Sequence, residues 1–97
     1  MTLLYAQEAR DRIRSLPPEI KRGVRQALES LQENPSMGKP LQRELTGFWS
    51  LSYKRHRIIY KPLADQKTIR IYTLGERKRI YQDFAEFLRS RPEGALK

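Results

Sequence analysis

The spacing of apolar side chains divides this chain into a helical first half and a strand-rich second half. Residues 2–5 are a short aliphatic and aromatic run, which predicts a first strand. Over residues 6–16, Ala6, Ala9, Ile13 and Leu16 recur at intervals of three and four, the period of an amphipathic helix. Pro17-Pro18 stops that helix, and Pro18 suits the first turn of the next, where a missing N–H costs nothing. Ile20, Val24, Leu28 and Leu31 then make a second apolar stripe, so the two segments predict a helical hairpin. Residues 34–40, with two prolines and a glycine, read as a loop.

Beyond the loop the period changes to two. Trp49, Leu51 and Tyr53 alternate with Ser50, Ser52 and Lys54, as in a half-buried strand. Ile58-Ile59-Tyr60 reads as a central strand buried on both faces. Residues 62–66 supply a turn, residues 68–74 alternate again, and Gly75 is expected to end that strand. Ile80, Phe84, Phe87 and Leu88 mark a last amphipathic helix over residues 79–89. The order predicts one small α+β domain over residues 1–90. In it an N-terminal strand and helical hairpin pack on an antiparallel β-meander, and a C-terminal helix follows. Residues 91–97, with Pro92 and Gly94, read as a frayed tail.

Composition narrows the chemistry. The 97 residues hold no cysteine and one histidine, which removes disulfides, thiolate catalysis and Cys-based zinc sites. No apolar run approaches a membrane span, and charge comes too early for a signal peptide, so a cytoplasmic protein without a membrane partner is expected. The net charge is +9, and residues 54–79 carry seven of those charges, with nine basic residues against Asp65 and Glu76. Such concentration is the footprint of a phosphate-binding surface, and equally of a solvated basic face.

Residue identity adds candidates. Arg57 abuts the apolar run Ile58-Ile59-Tyr60, where a role in solvent alone is unnatural. Tyr81 follows Arg77 by four residues, so on a helix the two share a face; alternatively Tyr81 simply lays its ring on the sheet. His56 invites a general-base role, or is a structural residue at a strand edge between Arg55 and Arg57. Glu76 is a base or an ion-pair partner for the neighbouring arginines. Ser50 and Ser52 have no His–Asp partners, and there is no Gly-rich phosphate loop.

Three segments together resemble a known family: Leu45-Thr46-Gly47-Phe48-Trp49-Ser50-Leu51, Arg57-Ile58-Ile59-Tyr60 and Gly75-Glu76-Arg77-Lys78-Arg79-Ile80-Tyr81. Their order and spacing are similar to those of the RelE/ParE superfamily of toxins from type II toxin–antitoxin modules, over nearly the whole chain. The resemblance implies the RelE-like fold and, for the RelE-like branch, an endoribonuclease that cuts messenger RNA on the ribosome. There a ribose 2′-hydroxyl attacks the adjacent phosphate, with no metal or cofactor. It also implies a cognate acidic antitoxin, which covers the site or displaces the C-terminal helix. By motif position Arg57, Arg77 and Tyr81 would be catalytic. Lys54, Arg55, Lys61, Lys78 and Arg79 would bind RNA phosphate, and Glu76 and His56 are the candidates for proton transfer. Ser50 and Ser52 stand where the best-known RelE pattern has lysines, and Lys54 is the expected replacement cation. The alternative is a ParE-like inhibitor of DNA gyrase without nuclease activity. A plain nucleic-acid-binding module would explain the charge but not the three motifs.

Overall fold

The computed structural model describes residues 1–65 and 67–90. The elements are β1 (Thr2–Tyr5), α1 (Gln7–Arg14), α2 (Pro18–Glu33), β2 (Lys39–Pro40), β3 (Trp49–Tyr53), β4 (His56–Pro62), β5 (Thr68–Glu76) and α3 (Ile80–Ser90), and all but β2 follow the predicted order. Residues 91–97, the expected frayed tail, lie outside the described residues. No described helix is long and apolar enough to cross a membrane.

The strands form one sheet in the order β1-β5-β4-β3-β2. The meander β3-β4-β5 is antiparallel as expected, but β1 joins it alongside β5 in parallel, so the sheet is mixed. Two further expectations are corrected. The end of the predicted loop pairs with β3, with Lys39 opposite Ser50 and Pro40 opposite Trp49. Proline is tolerated in β2 because the strand lies at the sheet edge, where no ladder partner needs its N–H. Gly75 does not end β5: it pairs with Arg57, and Glu76 pairs with His56.

Each face of the sheet has its own core. On one, the α1–α2 hairpin contributes Ala9, Ile13, Val24, Leu28 and Leu31, packed on Leu51, Ile58, Tyr60, Ile69, Ile71 and Leu74. On the other, α3 and the segment before β3 bring Ile80, Phe84, Ala85, Leu45 and Phe48 onto Ile59 and Tyr72. Ile58, Ile59 and Tyr60 are all fully buried, as expected of a strand covered on both sides.

One irregularity lets β5 serve both cores. Ile59 pairs with Thr73 and Tyr60 with Ile71, which leaves Tyr72 as an extra residue in the ladder. The bulge resets the alternation, so Ile69, Ile71 and Leu74 all face the hairpin while Tyr72 faces α3. Strict alternation would have put Leu74 beside Tyr72.

Candidate functional site

Strand alternation decides which charged residues meet. Arg57 lies between His56 and Ile58, so it points to the α3 side of the sheet while both neighbours point to the hairpin side. On the α3 side, β2, β3, β4 and the turn before α3 enclose an open cleft of about 500 Å³. Its polar lining is Lys39, Ser50, Ser52, Arg57, Arg77, Lys78 and Tyr81. Four cations therefore line it, with no carboxylate and no imidazole among the lining residues.

Local structure fixes each group. Arg57 donates through Nη1 to the carbonyls of Lys54 (3.0 Å) and His56 (2.9 Å), anchoring its guanidinium to the β3–β4 turn. Arg77 is just past β5, and its backbone N–H donates to the Arg55 carbonyl at 2.9 Å, extending the β4–β5 pairing onto the turn. Helix α3 starts only at Ile80, so Arg77 and Tyr81 do not share a helix face as expected. The turn brings both to the cleft nonetheless. Tyr81 packs its ring at the margin of the α3 core, and its hydroxyl lies 2.8 Å from Ser50 Oγ. Ser50 is buried, 5% exposed, so this hydroxyl pair is held inside the cleft wall.

The structure separates other candidates from this group. Lys54 is not on the β3 face with Ser50 and Ser52: it occupies the turn with φ 52°, and its Nζ lies 5.6 Å from the centre of the Tyr53 ring. That ring packs with the hairpin core, so the lysine leans away from the cleft. His56 and Glu76 are paired across β4 and β5 on the hairpin side, in a separate recess with Glu8, Asp11 and Arg12. The His56 Nδ1 is buried there without a hydrogen-bond partner. Proton transfer by His56 in the cleft would require crossing the sheet, whereas Glu76, at the exposed end of β5, also borders a recess with the cleft residues Arg77 and Lys78. Lys61 holds its Nζ 5.1 Å from the centre of the Phe48 ring, at the other end of β4. Arg55 shares a neighbouring recess with Glu76, Arg77 and Lys78. Arg79 is exposed in the turn, its carbonyl accepting the Asp83 N–H at 2.9 Å.

Lys39 was not a candidate in the sequence, where it looked like part of a loop. The signal is non-local: only the pairing of β2 with β3 puts it opposite Ser50. Among the described residues no group of three or more His, Cys, Asp or Glu side chains is placed to hold a metal ion.

Comparison with known proteins agrees with this architecture. Residues 3–81 match the family model described as ParE toxin of type II toxin–antitoxin system, parDE. The chain belongs to the RelE/ParE superfamily of type II toxins. It is 32% identical over 83 residues to toxin RelG of Mycobacterium tuberculosis, covering 84% of this chain and 95% of that protein. The crystal structure of the toxin–antitoxin complex RelBE2 from the same organism superposes with a TM-score of 0.71 at 32% identity, over 78% of this chain and 96% of that one. Escherichia coli toxin RelE, as a double mutant in the free state, matches with a TM-score of 0.72 over 93% of this chain and 97% of that one. At 14% identity it supports the fold alone. The toxin's three helices and five-stranded mixed sheet are thus those of RelE-like structures.

Proposed function

We propose that this toxin is a ribosome-dependent endoribonuclease that cuts messenger RNA in the cytoplasm by attack of a ribose 2′-hydroxyl on the adjacent phosphate. The observation that carries this reading is the cleft in which Lys39, Arg57, Arg77 and Lys78 surround the Ser50–Tyr81 hydroxyl pair. Because the nucleophile belongs to the RNA, the protein has to hold the phosphate, neutralise the charge that grows on it, and guide protons. Arg57 and Arg77 are suited to the first two tasks: the guanidinium is planar, permanently charged, and matches phosphate oxygens. The Tyr81 hydroxyl, fixed by Ser50, orients the 2′-hydroxyl.

The partners follow. Translating ribosomes present the message, and the remaining basic residues, Arg55 and Arg79 among them, face RNA phosphate. An acidic antitoxin complements the +9 chain and silences it. Helix α3, which packs through Phe84, Phe87 and Leu88 beside the cleft, is the element such a partner would displace.

The experiment is RNA mapping in cells expressing the wild type, Arg57→Ala or Tyr81→Phe. New cleavage sites within translated messages are expected for the wild type, with Arg57→Ala reducing cleavage about 10²–10³-fold. Growth arrest with intact messages would overturn the reading. The ParE family match favours a second reading, a gyrase inhibitor on the same fold. It predicts inhibited supercoiling in vitro, DNA-damage signalling and uncut messages.

A further inference from the structure

Strand β5 runs further than the strand that pairs with its outer edge. β1 covers only Thr68 to Ile71 there, and the Ala6 N–H closes the pairing on the Ile71 carbonyl at 2.9 Å. The chain then turns into α1, so residues 72–76 have β4 on one side and no strand on the other.

The register decides which carbonyls face that bare edge. In an antiparallel ladder, pairs that exchange hydrogen bonds alternate with pairs whose backbone groups point outward. The Arg77 N–H donates to the Arg55 carbonyl, two steps along from the pairing of Gly75 with Arg57. Gly75 and Arg77 therefore turn inward to β4, and Leu74 between Thr73 and Gly75 turns outward. Leu74 is 1% exposed, so its outward carbonyl needs a donor.

Arg12, in the last turn of α1, supplies it: Nη1 donates to the Leu74 carbonyl at 3.2 Å. The recess around Arg12 also holds Glu8, Asp11 and Glu76, whose carboxylates favour a cation there. The next residue leaves room for the guanidinium. A Cβ at Gly75 would fall 3.3 Å from Arg12 Nη1 and 3.0 Å from Ile80 Cδ1. Arg12 thus reaches β5 beside the residue that pairs with Arg57, three positions before Arg77.

We propose that Arg12 is a positioning residue, which holds the outer edge of β5 at Leu74 and so fixes the strand end that delivers Arg77 to the cleft. The inference rests on the endonuclease reading above. Arg12 lines the recess on the hairpin side and not the cleft, so it acts through the strand and not on RNA. The inner edge is held by the Arg77 N–H on Arg55, and the outer edge by Arg12 alone among the hydrogen bonds named here. Released on the outer side, the strand end twists away from β4 and takes Arg77 with it. A displacement of about 1 Å in a catalytic group costs on the order of 10²-fold in rate.

The test joins single-turnover cleavage on programmed ribosomes to amide hydrogen exchange of the purified toxin. Arg12→Ala is expected to cut about 10–10²-fold more slowly at saturating ribosomes, with the half-saturating ribosome concentration unchanged. Arg12→Lys, which can still donate to the Leu74 carbonyl, should recover most of the rate. Arg14→Ala removes the same charge from the same exposed turn and should cut like wild type. Because Arg12 acts through Arg77, the double variant Arg12→Ala/Arg77→Ala should be no slower than Arg77→Ala. Exchange at the Arg77 amide should be about fivefold faster in Arg12→Ala, with exchange in α2 unchanged. An unchanged rate in Arg12→Ala, losses that multiply in the double variant, a raised half-saturating concentration, or an equally slow Arg14→Ala would overturn the positioning role and leave the endonuclease reading intact. Unaltered exchange at Arg77 would overturn it as well. A wild type that cuts no message, beside an Arg12→Ala protein with a loosened Arg77 amide, would overturn the endonuclease reading and leave the hold on the strand end standing.

Discussion

The two faces of the sheet share the same strands and do different work. The hairpin face is apolar packing over most of its area, with Val24, Leu31, Ile58, Tyr60, Ile69 and Ile71 all fully buried, and turns polar only at the end that carries His56 and Glu76. The α3 face is apolar at one end, around Phe48, Tyr72 and Phe84, and cationic at the other, around Arg57, Arg77, Lys39 and Lys78. Alternation makes this division possible, because Arg57 can belong to a cleft while Ile58 beside it belongs to a core. Stability and chemistry are therefore carried by neighbouring residues and are separable by substitution.

The sharpest test exchanges one residue on each face. Arg77→Ala is expected to lower cleavage about 10²–10³-fold, as for loss of a group that stabilises transition-state charge. Its stability should stay within about 0.5 kcal/mol of wild type, since Arg77 is exposed. Leu31→Ala on the hairpin face should cost about 2–5 kcal/mol in urea unfolding and leave the rate per folded molecule unchanged. An Arg77→Ala protein that unfolds, or a folded Leu31→Ala protein that cuts slowly, would erase the distinction.

Tyr60 joins the two sides. Its ring belongs to the hairpin core, and its hydroxyl holds the loop that delivers Lys39 to the cleft. Tyr60→Phe is expected to lose about 1 kcal/mol and to speed hydrogen exchange at the Gly38 amide. Burial raises the Tyr60 pKa above 10.0, a larger effect than the lowering by the Gly38 N–H. The folded state thus favours the neutral phenol. The wild type should keep its advantage over Tyr60→Phe below pH 10.0 and lose it as pH rises through the raised folded value. An advantage that grew with alkali would contradict this contact.

Most of the elements were legible because period reports burial, and burial here is strong. The helices and the two outer meander strands announced themselves by spacing, and β4 by the compact apolar run Ile58-Ile59-Tyr60. What was hidden is pairing over long sequence distances. Nothing in Thr2–Tyr5 states that it will lie parallel to β5, and nothing in Lys39-Pro40 states that it is a strand at all. The same limit governed the site. Arg57, Arg77, Lys78 and Tyr81 were found from motifs and do meet, whereas Lys39 depended on a register invisible in one segment. His56 and Glu76 are a different case. His56 is one residue from Arg57 on β4, so alternation places it on the other face, and Glu76 is paired opposite it. Lys54 escaped the same rule because its φ of 52° takes it out of the strand.

The smallest effect is expected at the end of the sheet remote from the cleft. In the β4–β5 turn, Asp65 Oδ1 accepts the N–H groups of Lys67 (2.9 Å) and Thr68 (3.0 Å), and Oδ2 accepts the Thr68 hydroxyl (2.9 Å). These bonds, led by that from Lys67, favour the carboxylate and hold the Asp65 pKa below its ordinary 3.8. A depressed carboxyl pKa gives stability that is present above the unfolded value and disappears as pH falls through the folded one. Asp65→Ala should therefore be slightly less stable than wild type at neutral pH. The gap should narrow as pH falls below 3.8, and cleavage should be unaffected throughout. A loss of cleavage in this variant would mean that the far end of the sheet reaches the cleft, and that the two regions are less independent than their packing implies.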